Sequence, residues 1–302
     1  MDWFENLFGF DESTTDVQSM FHIEGDTMKS LANGRKFFIG NFSTPSLRDL
    51  RSNYEPIVSD SLNQLEHIVI FDVAGIHKPG ATIQVASQMN CLEFPSPDCT
   101  PEDGISDYIY DNTQGPSCAL QCPGATLYRN YFVSQSRTDG FRDIGQTADK
   151  QINLIEDLSS WKVCNGYVMD IPDYLPADNS CVRVGLHENV EVIDSEIKVN
   201  QCFCSAVCCW NRRDEWEPYA QFILDAMYEG VLLATHYCLR RGTGNGDVYL
   251  TMIGGGAFRN NKEWIAKAMG RAIAKDGRGL QIYVCHYCSL DTDFVNNLLT
   301  CL

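Results

Sequence analysis

Nowhere in this 302-residue chain do about 18 apolar residues run together, which is the length a membrane-spanning helix needs. Positive charge is also scarce. Lys and Arg number 23 against 40 Asp and Glu, a formal net charge of −17. Such a surface repels phosphates at long range, so neither a membrane surface nor non-specific nucleic acid is an expected partner. It leaves room for a local phosphate site, because backbone N–H groups supply one without side-chain charge. Residues 1–10 are apolar but carry Asp2 and Glu5 and no basic stretch. No secretory leader is therefore expected, and the chain is expected to be intracellular, cytoplasmic or nuclear. Internal repeats, low-complexity tracts, the Gly-Lys-Ser/Thr of a Walker loop and the Rossmann glycine pattern are all missing.

Cysteine is abundant, with 14 residues. Cys202, Cys204, Cys208 and Cys209 crowd one apolar run, but they lack a C-x-x-C pair and a nearby His. Cys285 and Cys288 form one C-x-x-C around His286, with no second half to complete a metal site. The expectation is buried, reduced thiols serving as small apolar side chains. No metal and no cofactor is expected.

Residues 1–60 read as a polar, irregular N-terminal extension with turn formers at Asn33-Gly34, Gly40-Asn41 and Thr44-Pro45. Organised structure is expected from near His67, with strands over residues 67–73 and 81–86. Residues 91–125, rich in Pro, Gly, Asp and Cys, read as long loops of the kind that carry function. Strands are expected over 201–207, 248–253 and 281–285, and helices over 217–240 and 264–274. This alternation implies an α/β domain of three layers, helices packed on both faces of a mainly parallel or mixed sheet.

Between the buried 248–253 strand and the 264–274 helix stands Ile253-Gly254-Gly255-Gly256-Ala257-Phe258. Glycine admits positive φ and lets a ligand approach the backbone. A strand, a glycine loop and a helix N-terminus together make an anion site, usually for phosphate. Phe258 is a candidate either to stack on a sugar or base or to join the core, and Arg259 and Lys262 are either local positive charge for the site or solvated side chains.

These residues resemble a known family. Residues 248–272 are similar to the phosphate-loop region of macro domains, and of the microbial type of poly(ADP-ribose) glycohydrolase in particular. In that group a buried strand ends in Gly-x-Gly-x-Phe-x-Asn, matched here by Gly254, Gly256, Phe258 and Asn260. Cys204-Ser205-Ala206 and the helix after it resemble the preceding strand and helix. The run Ile83-Gln84-Val85-Ala86-Ser87-Gln88-Met89-Asn90 resembles the strand ending in an Asn that holds the distal ribose. Asn112-Thr113-Gln114-Gly115-Pro116 then takes the place of the Gly-rich loop over that ribose, with Tyr128-Arg129-Asn130-Tyr131 in the element that follows.

The resemblance implies a macro-domain-like three-layer fold over residues 61–302. Its ligand would be ADP-ribose or an ADP-ribosylated substrate, held by Asn90, Gln114, Gly115, Gly254, Gly255, Gly256, Ala257, Phe258 and Asn260. It also implies ADP-ribosyl glycohydrolase activity, with one departure. The glycohydrolases carry a paired Glu after their Gly-rich loop, where this chain has Cys118-Ala119-Leu120. Attack at a ribose anomeric carbon calls for a carboxyl group. Glu93, three residues past Asn90, and Asp111, just before the Asn112-Thr113 turn, are the candidates. Two other readings stand beside this one: a non-catalytic reader of ADP-ribose or a related dinucleotide, and a hydrolase using Cys118 as nucleophile with His236 or His286 as base.

Overall fold

The computed structural model of the chain describes residues 2–54, 64–71, 73–76, 78–134, 152–211 and 213–302. In chain order the elements are α1 (Trp3–Phe8), β1 (Phe21–Glu24), β2 (Thr27–Ser30), β3 (Lys36–Phe38), β4 (Asn41–Ser43), α2 (Leu47–Ser52), β5 (Gln64–Ile70) and β6 (Thr82–Ala86). Then come α3 (Gln114–Gln121), α4 (Pro123–Tyr128), a π-helical turn (Arg129–Ser134), β7 (Val163–Cys164), β8 (Tyr167–Val168), β9 (Gly185–Glu191) and β10 (Lys198–Cys204). The chain closes with α5 (Arg213–Arg241), β11 (Asp247–Leu250), α6 (Lys262–Asp276), β12 (Gln281–Tyr287) and α7 (Thr292–Leu299).

Seven strands form the central sheet, in the order β4-β9-β10-β6-β11-β12-β5. The five from β10 to β5 are parallel; at one edge β9 pairs antiparallel with β10, and β4 pairs antiparallel with β9. The middle strands β6 and β11 are almost wholly buried, as expected where both sheet faces are covered. The two faces show in the alternation along β10. Cys204 turns to α5, where its Sγ donates to the Met227 carbonyl, while Gln201 turns to α3 and donates to the Cys118 carbonyl. The three-layer mixed α/β arrangement is thus present, and the expected strands near 201, 248 and 281 lie in this one sheet. The expected 67–73 strand is β5, displaced toward its N-terminus; residue 72 lies outside the described residues. Among the described residues no helix is long and apolar enough to cross a membrane.

The N-terminal residues form more structure than their polar appearance suggests. Residues 55–60 of the expected extension lie outside the described residues, but residues 2–54 are ordered into α1, a three-stranded antiparallel sheet, β4 and α2. Phe4, Phe8, Phe10, Phe21 and Phe37 make a buried aromatic cluster, with Phe8 and Phe37 centroids 5.0 Å apart. β4 extends the central sheet through its pairing with β9. The irregular reading fails because strands of three or four residues between turn formers carry too few alternations to show a period.

Residues 91–125 are likewise not all loop, since α3 and the start of α4 fall within them. The prolines that read as breakers sit where a helix tolerates them. Pro123 opens α4, and Pro116 lies in the first turn of α3, where its missing N–H has no intrahelical partner to lose. α5 begins a turn before the expected residue 217, which puts Pro218 inside the helix rather than in its first turn. The turn around it is solvent-exposed, so water can satisfy the carbonyl that loses its donor.

Candidate functional site

From β10 the chain passes through α5 to β11, stepping over β6. The loops after β10 and β11 therefore flank the C-terminal end of β6. A crevice at such a crossing, beyond the carboxyl ends of parallel strands, is where open α/β sheets bind ligands. Three segments meet there: residues 87–94 after β6, the N-terminus of α3, and the glycine loop after β11.

The first segment turns through Asn90-Cys91-Leu92-Glu93. Cys91 is fully buried with a left-handed φ of 58°, which L-residues rarely adopt. Asn90 is buried, and its Oδ1 accepts from the Leu92 N–H at 3.2 Å, closing the turn. The Gly166 backbone, between β7 and β8, lies directly on the Asn90 amide: a Cβ at Gly166 would sit 2.7 Å from its Oδ1. Glu93 is 3% exposed. Its N–H donates to Tyr108 Oη at 2.8 Å, and its Oε1 has no hydrogen-bond partner among the described residues. Burial pushes the carboxyl well above the usual carboxylate range; the Arg129 guanidinium pulls it down and Asp111 adds to the rise. This is a buried acid that holds its proton above the range of an ordinary Glu, in the place where sequence reasoning put a catalytic candidate.

Glu93 faces the first turn of α3. A Cβ on Gly115 would lie 2.1 Å from Glu93 Oε2 and 2.2 Å from the Ala86 carbonyl. The glycine lets the carboxyl and strand β6 approach the helix backbone. Gly115→Ala is expected to cost about 1–3 kcal/mol of overpacking, because the Ala86 carbonyl belongs to the central strand and cannot give way. A thermal melt should show the midpoint down by several degrees; an unchanged midpoint would mean that the close approach is not real. Gln114, expected on the ribose, spends its side chain on β6 instead. Its Oε1 accepts from Ala86 N–H at 2.6 Å and its Nε2 donates to the Gln84 carbonyl at 2.8 Å, in the manner of an extra strand. Asp111 is partly exposed and its Oδ1 accepts from the Thr113 N–H. It bears on Glu93 through its charge.

Four of the glycine loop's carbonyls are occupied. The Gly254 oxygen accepts from Asn260 N–H, the Gly256 oxygen from Arg259 N–H, and the Phe258 oxygen from Cys209 N–H. The Ala257 oxygen accepts from Trp210 Nε1. The N–H groups of Gly256, Ala257 and Phe258 have no partner among the described residues, and Gly256 and Ala257 are exposed. Successive N–H groups presented in this way make an anion-binding concavity. Gly255 N–H is not one of them, since it donates to the Met252 carbonyl. Nor is the helix N-terminus open: Asn261 caps α6 by accepting from Glu263 N–H. Asn260 is buried and braces the loop from beneath, its Nδ2 donating to the Val207 carbonyl at 2.8 Å. Of the nearby cations, Lys262 is ion-paired with Asp291, while Arg259 is exposed on a left-handed residue with φ 57°.

Tyr167 joins the two sides. Its Oη donates to the Phe94 carbonyl, next to Glu93, and its ring lies 5.6 Å from that of Phe258. The glycine loop and the Asn90–Glu93 turn thus meet across Tyr167, beyond the C-terminal ends of β11 and β6. Tyr108 and Tyr167 went unnoticed in the sequence, and Arg129 was noted there only as part of the Tyr128–Tyr131 run, with no role given to it. Arg129 alone left a signal there, a charge inside the apolar run Leu127-Tyr128-Arg129-Asn130-Tyr131-Phe132. The Cys118 reading finds no dyad: Cys118 is buried and its Sγ accepts from Gln114 Nε2, His236 Nε2 bonds the Asp276 carbonyl, and His286 Nε2 lies 2.9 Å from His67 Nδ1. Every cysteine is a free thiol. Among the described residues no three His, Cys, Asp or Glu are grouped to hold a metal ion.

No protein-family model and no curated protein sequence matches the chain. Solved structures do. Poly(ADP-ribose) glycohydrolase from Deinococcus radiodurans, in complex with ADP-ribose, is similar to it at 13% identity and a TM-score of 0.44, over 87% of this chain and 96% of that one. The poly(ADP-ribose) glycohydrolase of Thermomonospora curvata is similar at 11% identity and a TM-score of 0.43, over 96% and 97%. A macrodomain variant from Oceanobacillus iheyensis is similar at 9% identity and a TM-score of 0.42, over 78% and 90%.

Proposed function

We propose that the chain binds ADP-ribose in this crevice and hydrolyses the bond between its distal ribose and a carrier group. The observation that carries the binding half is the glycine loop, where occupied carbonyls leave the N–H groups of Gly256, Ala257 and Phe258 for a pyrophosphate. An acidic protein holds such a ligand without a cluster of cations, because backbone dipoles supply the positive end. The distal ribose then points toward Asn90 and Glu93, across the Tyr167 bridge.

Glu93 supplies the chemistry. As a protonated acid it gives its proton to the leaving oxygen as the bond to the anomeric carbon breaks. As a carboxylate it takes a proton from the water that adds to that carbon, which restores the acid. Its burial suits the first of these steps. Asn90, Gly115 and Phe258 complete the ligand's surroundings, with Asn260 acting beneath the loop.

Calorimetric titration with ADP-ribose tests the binding half. Wild-type protein should bind, and Gly255→Glu should weaken binding strongly, because it puts a carboxylate and its bulk beside the phosphate; a Cβ there already meets Ile265 and the Met252 carbonyl at 3.1 Å. No heat at millimolar ADP-ribose ends the proposal. Binding without release from any ADP-ribosylated protein, nucleic acid or small-molecule ester would leave the reader function in its place.

A further inference from the structure

Arg129 lies behind the crevice, fully buried in the π-helical turn after α4. A buried guanidinium is costly unless its donors are used. Here Nε donates to the Cys91 carbonyl at 2.9 Å. Nη1 donates to His187 Nδ1 at 3.3 Å, and the plane lies 3.8 Å over the Phe203 ring. His187 must carry its own proton on Nε2, because that nitrogen meets the Ile39 carbonyl at 2.7 Å and a carbonyl only accepts. Burial and the Arg129 charge hold His187 well below its ordinary pKa, which keeps Nδ1 free to accept. Nη2 has no hydrogen-bond partner among the described residues.

The residue that Arg129 grips is the left-handed Cys91, between Asn90 and Glu93. A non-glycine residue stays in that conformation only where its surroundings over-determine it. The Gly185 backbone closes the other side, since a Cβ there would lie 2.4 Å from Cys91 Sγ.

We propose that Arg129 is a positioning residue for the hydrolysis. By fixing the Cys91 carbonyl from a guanidinium braced on His187 and Phe203, it sets where the Asn90 amide and the Glu93 carboxyl point. This rests on the reading of Glu93 as the acid. The fork is the essential part: Lys carries the same charge but cannot make two directed bonds from one plane. The brace also gives the N-terminal residues a part in the site, since Ile39 fixes the tautomer of His187.

The groups facing Glu93 are Arg129, which lowers its pKa, and Asp111, which raises it. Charge and positioning therefore separate in two variants, each first checked for cooperative melting. In Arg129→Lys, kcat for ADP-ribose release should fall about 10²-fold, as expected when reacting groups move by about an ångström, while the alkaline limb of the pH profile stays where the wild type has it. In Arg129→Met, kcat should fall as far and the limb should move to higher pH. Both variants within twofold of the wild-type kcat would overturn the proposal. If Arg129→Met does not fold, the Arg129→Lys result decides. If wild-type protein releases nothing, the hydrolase reading fails by itself, and the amide NMR signals of Cys91, Leu92 and Glu93 decide the positioning role. Signals displaced in Arg129→Lys support it, and signals coincident with wild type refute it.

Discussion

Replacing Glu93 by Gln is expected to lower turnover by about 10²–10⁴-fold while ADP-ribose affinity stays within a few-fold. The amide keeps the shape of the side chain, and the Glu93 contact to Tyr108 runs through the backbone N–H, which the substitution leaves alone. What is lost is the ionisable proton. Because burial raises the Glu93 pKa, the acid form persists into a pH range where an ordinary carboxyl is ionised, and the rate should fall as pH rises through the raised value. Asp111→Asn removes a charge that contributes to the rise, so the limb should move to lower pH while the plateau rate is kept.

Stability should respond in the opposite sense to activity. The unfolded chain loses the Glu93 proton near an ordinary Glu pKa of about 4.3, and the folded chain holds it to higher pH. Between those two values the folded state binds more protons, so the contribution of Glu93 falls as pH rises, and above the folded pKa it is at its least favourable. Glu93→Gln has no such loss. At neutral pH the variant should melt higher than wild type, and the gain should vanish at acid pH. Turnover at the wild-type rate would remove Glu93 from the mechanism, and a melting difference that does not change with pH would refute the buried-acid assignment.

The parts of the site legible in the sequence are those whose chemistry is local. A buried strand followed by three glycines reads as a strand and a sharp turn whatever surrounds it; β11 is there but ends at Leu250, three residues short of the expected 253, and the 253–258 turn follows. Glu93 was legible as a carboxyl close behind a strand end. Its burial was not, because that depends on Tyr108 and Gly115, which lie 15 and 22 positions further along the chain. The partners of Gln114 were hidden for the same reason. A polar amide in a Gly-Pro loop looks like a ligand donor until β6 is seen to use both ends of it. The N-terminal support was hidden more deeply. Glu12 accepts from the Ile105 and Ser106 N–H groups and from Tyr131 Oη, fixing the segment that carries Tyr108. Nothing local to an isolated Glu in a polar stretch reports such contacts.

Two of the loop glycines, Gly254 and Gly256, are expected to fail in different ways when replaced. Gly254 has φ 72°, and a Cβ on it would lie 2.5 Å from the Ala206 Cβ and 2.8 Å from Asn260 Nδ2. The left-handed backbone alone costs a side chain about 1–2 kcal/mol, and overpacking against Ala206 adds about 1–3 kcal/mol. Gly254→Ala should therefore lower the melting midpoint, and it should weaken ADP-ribose by at least about tenfold, because the competent loop becomes a minority conformation. Gly256 differs: its φ is not in the left-handed region, and apart from its chain neighbours nothing among the described residues lies within 4 Å of where its Cβ would be. The fold does not require a glycine there, and the space beside exposed Gly256 is open to a ligand on the proposed reading. Gly256→Ala should leave the melting midpoint where it is and still weaken ADP-ribose by about tenfold, the equivalent of about 1.4 kcal/mol. Melting curves and titrations of the two variants, run side by side, separate loop conformation from ligand space. If Gly256→Ala binds as tightly as wild type, the open face of the loop is not where the pyrophosphate lies, and the assignment of this turn as the phosphate site falls with it.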